Sequence, residues 1–319
     1  DGMVYALPFI IIGSVFLILK SFPIPAVSTF FDNIGWSVFF NQAYQTTFAI
    51  ISIWTAVGIA YVYAKNEKIE PLPVGLTSLS VFFLLQKLQV DAPLVGAMAK
   101  GGSGITDAAG KTLYTSSQLA HQISQLPDAI QAYLKSPVTN VINMTWLSGQ
   151  GMIAAILCGL LVGWTYTLMA KAGWEIKLPE QVPANVANQF SAMIPSGVII
   201  TVAMVVYAIF DKALNTDLLN WIYKTLQIPL QGLSDSLGGG IILAFMVVFF
   251  WFFGVHGGLI MGGIGGAFLL PNSADNANLL AEGKLSLANG AHIVTNEFYN
   301  NFINLTGSGI TIGLVIFTL

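Results

Sequence analysis

The residue with the strongest chemical claim in this sequence is His256, in the run Phe252-Phe253-Gly254-Val255-His256-Gly257-Gly258. An imidazole can exchange a proton with a hydroxyl near neutral pH. An ionisable group inside an apolar segment is costly, and so points to function. Gly257 beside it allows backbone or ligand to approach closely. Trp251 stands five residues earlier and could stack on the apolar face of a sugar ring. The alternatives are a buried imidazole satisfied by a backbone carbonyl and a tryptophan that serves only as core or interface. Amides form the next candidates. Asn185, Asn188 and Gln189 cluster, and Asn143 precedes Trp146. Asn296, Asn300 and Asn304 share one helical face beside Glu297 and Asn301, which could line an aqueous cavity or the mouth of a helix.

Other groups offer less. His121 falls in a polar stretch and His292 just before an apolar run, where they read as solvated and interfacial. Three histidines so spaced, with the single Cys158, make no zinc-ligand pattern, so neither metal nor cofactor is expected. Cys158 reads as a small core residue. No GxxxxGK[ST] loop occurs.

The elements that must position these residues are hydrophobic. Of 319 residues 55% are apolar and 8% charged, and mean hydropathy is +0.73. A soluble domain carries about 25% charged residues, so the surface here must face lipid. Apolar runs near the ~20 residues that cross a bilayer begin at Met3, Thr46, Pro71, Trp146, Pro195 and Gly238. Residues 89–143 are polar and read as an aqueous loop with a short surface helix or hairpin. Residues 179–195 read as an amphipathic helix along the membrane surface. The glycine-crowded stretch 254–270 reads as a re-entrant loop or hairpin rather than an ordinary helix, and 273–288 as a polar loop. All 12 basic residues are lysine, which argues against a voltage sensor and against nucleic acid as a partner. Lys65, Lys68, Lys171 and Lys177 fall on one side if the spans alternate, the cytoplasmic side by the positive-inside rule. The chain opens at Asp1 and stops inside an apolar run at Leu319, which reads as a C-terminally truncated piece.

Four segments together bring a family into view: Asp1-Gly-Met-Val-Tyr-Ala-Leu-Pro-Phe-Ile-Ile-Ile-Gly-Ser, Pro183-Ala-Asn-Val-Ala-Asn-Gln-Phe, Phe253-Gly-Val-His-Gly-Gly and Gly307-Ser-Gly-Ile-Thr-Ile-Gly. In this order they resemble the sugar-translocating enzyme IIC of the bacterial phosphotransferase system, in its lactose, cellobiose and diacetylchitobiose branch. The resemblance implies an all-α polytopic membrane protein with re-entrant hairpins. It implies a scaffold and dimerisation domain over residues 1–212 and a sugar-binding domain, here incomplete, over 213–319. It implies a homodimer in the bacterial cytoplasmic membrane. It further implies a β-linked disaccharide as substrate and phospho-enzyme IIB as partner, with His256 hydrogen-bonding near the sugar 6-hydroxyl that receives phosphate. Trp251, Gly257, Asn185, Asn188 and Asn143 are the candidate sugar contacts. The family's Asn-Glu-Pro motif is absent, and Asn296-Glu297-Phe298 does not substitute for it.

Two other classes compete at this stage. Broken helices at mid-membrane also suit an ion-coupled transporter, and a lone histidine base would suit a membrane hydrolase, though no nucleophile stands beside it.

Overall fold

The computed structural model describes residues 2–22, 24–90, 92, 105–106, 112–174, 176, 178–179, 181–253 and 257–304. The chain forms two compact units, one of Asp1–Gln86 with Met144–Leu319 and one of Lys87–Asn143. The larger unit opens with α1 (Leu7–Lys20), α2 (Pro25–Asn33), α3 (Trp36–Gln45), α4 (Ile51–Asn66) and α5 (Pro71–Leu84). Proline opens α2 and α5, where the first turn has no use for its missing N–H.

The smaller unit pairs β1 (Gln89–Val90) with β4 (Val138–Thr139) and β2 (Ile105–Thr106) with β3 (Thr112–Tyr114), both antiparallel. Two short helices lie between, α6 (Ser116–Ser124) and α7 (Asp128–Lys135). Thr115 and Gln118 form a reciprocal capping box that starts α6.

The larger unit continues with α8 (Met152–Lys171), α9 (Ala184–Ala213), α10 (Leu218–Ser234), α11 (Leu237–Phe252) and α12 (Gly257–Ala281). Among the described residues three helices are long and apolar enough to cross a membrane: Trp36–Asn66, Gly149–Lys171 and Val186–Ala213. Two bent pairs bring the number of such spans to five, α1 with α2 and α10 with α11, the latter bent by 76°.

Small residues hold the first half together. Ala56, Ala60 and Ala64, one turn apart on α4, are fully buried. Opposite them, a Cβ on Gly159 would lie 2.9 Å from the Ala56 carbonyl oxygen, and one on Gly163 2.9 Å from Tyr63 Cβ. Helices surrounded by lipid gain nothing from hiding apolar surface, so close backbone approach and interhelical hydrogen bonds must hold them. Ser78 Oγ donates to the Ala56 carbonyl at 3.0 Å, and Thr77 Oγ1 meets Ser196 Oγ at 2.7 Å. Cys158 is buried in this core. The outward faces are apolar, with Leu160, Leu161, Trp164 and Leu168 on α8 and Leu237, Ile241, Phe245, Val248 and Phe252 on α11 exposed.

Three sequence readings need correction. Residues 257–281 form one 25-residue helix, with Pro271 inside it, rather than a hairpin and a polar loop. Glycine serves close packing here: a Cβ on Gly257 would lie 2.0 Å from the Val247 carbonyl oxygen of α11. The polar residues after Pro271 stay helical because their side chains find partners across the fold. Asn272 Nδ2 donates to the Val294 carbonyl and Asn276 Nδ2 to that of His292, both at 2.8 Å. The amphipathic residues from Ala184 and the span after Pro195 are likewise one helix, α9. The polar stretch read as an aqueous loop with a short surface helix or hairpin does hold short helices and antiparallel strand pairs, but it forms a compact unit over 87–143.

Candidate functional site

A polar cavity of about 800 Å³ opens between α1, α3, α10 and the C-terminal end of α12. Its wall is built by interlocked side chains. Lys20, the last residue of α1, donates from Nζ to Asn41 Oδ1 and to the Ala281 carbonyl, both at 2.9 Å. A cation there complements the C-terminus of α12. Tyr44 Oη donates to Asn278 Oδ1 at 2.7 Å, tying α3 to α12. Gln227 Nε2 donates to the Gly149 carbonyl at 2.7 Å. A Cβ at Gly149 would meet the Pro271 carbonyl oxygen at 2.8 Å, so glycine is required for this approach.

His292 lies in the cavity wall between two carboxylates. Its Nδ1 is 3.0 Å from Asp235 Oδ2, and its Nε2 is 3.7 Å from Asp275 Oδ2. Asp235, just past the end of α10, also accepts the backbone N–H groups of Ile293 and Val294 on Oδ1, both at 2.7 Å. Asp275 Oδ2 accepts from Gln231 Nε2 at 3.1 Å. Asn276 grips the backbone of His292 on both sides, donating to its carbonyl and accepting from its N–H at 2.8 Å each. The carboxylates of Asp275 and Asp235 raise the imidazole pKa above its ordinary 6.5, outweighing the opposite effect of burial. A protonated His292 therefore clasps the chain after α12 to both α10 and α12.

A second polar group adjoins the first. Ser273 Oγ donates to Glu297 Oε2 at 2.5 Å and accepts the Asn296 N–H at 3.1 Å. Asn296 is thereby held by its backbone, and Asn300 Nδ2 donates to the Asn296 carbonyl at 2.9 Å. Among the described residues no three metal-ligating side chains converge.

The residues singled out in the sequence do not gather in this cavity. Trp251 and Gly257 do come together, since a Cβ on Gly257 would lie 3.0 Å from Trp251 Cδ1. His256 lies outside the described residues, as does the side chain of Asn185. Asn188 lines a separate cleft of about 260 Å³ with Glu70, Tyr166 and Lys171. Asn143 is half-buried in the smaller unit. Gly257 precedes Asp275 by 18 residues on α12, about 27 Å at the helical rise of 1.5 Å per residue. Sequence reasoning missed Asp235, Asp275 and Asn278, and gave His292 no role. The signal for a helix was present: Ala274, Ala277 and Leu280 continue the apolar spacing between Asn272, Asp275, Asn276 and Asn278.

Comparison with known proteins places this architecture. The family model described as "Phosphotransferase system, EIIC" matches residues 1–319. A cellobiose-specific EIIC component from Geobacillus stearothermophilus is 26% identical over 323 residues, covering 99% of this chain and 62% of that protein. A lactose-specific EIICB component from Lacticaseibacillus casei is 32% identical over 176 residues, covering 55% of this chain and 30% of that protein. The fold matches the crystal structure of the transporter ChbC, the IIC component of the N,N'-diacetylchitobiose-specific phosphotransferase system. There the TM-score is 0.78 at 28% identity, with 99% of this chain and 65% of that one covered. The chain thus spans less than two thirds of the length of each of these proteins, and it belongs to the phosphotransferase system EIIC family.

Proposed function

We propose that the chain is the membrane permease part of a phosphoenolpyruvate-dependent phosphotransferase system, importing a β-linked disaccharide of the chitobiose, cellobiose or lactose type. The observation that carries this reading is the chain-long family match, joined to a fold shared with a chitobiose-system IIC component. Phospho-enzyme IIB is the proposed cytoplasmic partner, and a relative in which IIC and IIB share one name supports it. The bacterial cytoplasmic membrane and a homodimer complete the proposal. Residues 1–212 are assigned to the scaffold and 213–319 to sugar handling.

In this reading the S–P bond of the IIB phosphocysteine breaks as the sugar 6-oxygen bonds to phosphorus, the cysteine leaves as thiolate and the hydroxyl proton passes to the His256 imidazole. His256 hydrogen-bonds near that hydroxyl. Trp251 supplies a stacking face, and the contact of Gly257 with Val247 and Trp251 supports such a pocket wall. Asn185, Asn188 and Asn143 remain proposed sugar contacts. Phosphorylation traps the sugar by removing it from the transport equilibrium.

The test is uptake and phosphorylation by proteoliposomes charged with phospho-IIB. His256→Gln is expected to lower 6-phosphosugar formation by about 10²-fold, the lower range for a positioned proton-transfer group. Wild-type rates in that variant would remove His256 from its assigned role.

A further inference from the structure

The 800 Å³ cavity lies apart from the glycine-rich segment, about 27 Å from Gly257 along α12 by helical rise. It also has a definite place in the bundle. Gly149 touches Asp275 in its wall, and from Gly149 the chain climbs through α8 to Lys171, about 33 Å away at the same rise. Lys171 pairs with Glu67, beside Lys65 and Lys68. The cavity and this lysine cluster therefore occupy opposite ends of α8. The positive-inside rule, applied to the short loops that carry Lys65, Lys68 and Lys171 rather than to the long 89–143 stretch with its own lysines, assigns the cavity to the outer end.

We infer that this cavity is an outer capture subsite for a neutral, hydroxyl-rich saccharide, occupied before the sugar reaches the glycine-rich segment; this rests on the permease reading. Its volume falls in the range of small-molecule sites, roughly 300–1,000 Å³. Its chemistry is that of hydroxyl recognition, because amides both donate and accept, as hydroxyls do. Gln45 and Gln150 line it, half-buried, and among the described residues their side chains have no hydrogen-bond partner. Asn278 gives its oxygen to Tyr44, which fixes the rotamer and leaves its NH₂ to donate. The Tyr223 ring completes the wall. Asp275, Asp235 and Glu282 are matched by Lys20, His292 and the Lys284 that pairs with Glu282, so the charges at and just behind the surface balance, as suits a neutral ligand.

The experiment uses the protein in proteoliposomes with phospho-IIB, and cellobiose as the probe. Gln45→Ala and Gln150→Ala are expected to raise the uptake KM about tenfold each while kcat holds. Neither residue has a side-chain hydrogen bond to lose among the described residues, so folding is expected to be spared. Gln45→Trp, which narrows the cavity, is expected to slow uptake. Unchanged KM in both alanine variants, with uptake intact in Gln45→Trp, would overturn the capture site and leave the permease reading standing. A wild-type protein that neither imports nor phosphorylates any β-linked disaccharide would instead overturn the permease reading, and the inference with it.

Discussion

The α4–α8 contact and the α10–α12 region are held by different forces. In the first, alanines and glycines bring two backbones together, and the Ser78 hydroxyl of α5 reaches the Ala56 carbonyl of α4. In the second, whole side chains cross between elements: Gln231, Asp235, Asp275 and His292 connect α10, α12 and the chain after it, and Gln227 ties α10 to Gly149. A glycine seam has one geometry, fixed by van der Waals contact. A hydrogen-bonded polar network can exchange partners with water or a sugar. That contrast suits a rigid frame beside a part that handles substrate.

Four perturbations would sharpen or break the contrast. The largest effect is expected from Gly159→Leu. Its Cβ alone would lie 2.9 Å from backbone and side chain of α4, and overpacking of this kind costs about 3 kcal/mol. Thermal unfolding of the purified protein should show the loss; a neutral result would mean the seam is not tight. Asp235→Ala should come next, at about 2 kcal/mol, because it strips an acceptor from two backbone N–H groups and from His292. Hydrogen exchange at Ile293 and Val294 should quicken while α4 and α8 stay protected. Equal loosening of both regions would end the distinction.

Third is pH. His292 binds its proton more tightly folded than unfolded, since its pKa is raised. Its contribution is therefore complete below the ordinary imidazole value of 6.5 and fades as pH rises through the higher folded value. Exchange at Ile293 and Val294 should rise with pH beyond the intrinsic chemical trend, and His292→Gln should flatten that excess. The same excess in both proteins would sink the clasp. The smallest effect is expected for Lys171→Ala. Its pair with Glu67 is exposed, and such pairs contribute under about 1 kcal/mol. A change of several degrees in Tm would show that this end of the frame depends on charge.

Much of the frame was legible in the sequence. Runs such as 152–170 are uniformly apolar, and lipid leaves helix as the form that satisfies their backbone. The glycine-rich stretch misled because helix propensity penalises Gly, whereas tight packing of α12 on α11 rewards it at Gly257. The polar run after Pro271 misled for a related reason. Its amides and carboxylate are paid by partners such as Val294 and His292, about 20 residues ahead, which no local pattern reveals. His292 itself looked interfacial because its two carboxylates, Asp235 and Asp275, come from distant points in the chain. The cavity was not legible, since its walls draw on α1, α3, α10 and α12 at once.

The most direct test of the account is the chemical form of sugar inside proteoliposomes supplied with phospho-IIB and an external β-linked disaccharide labelled with carbon-14. The account predicts that the label accumulates as 6-phosphosugar, requires IIB and is indifferent to a protonophore. Accumulation of unmodified disaccharide that needs no IIB and collapses with the protonophore would contradict it.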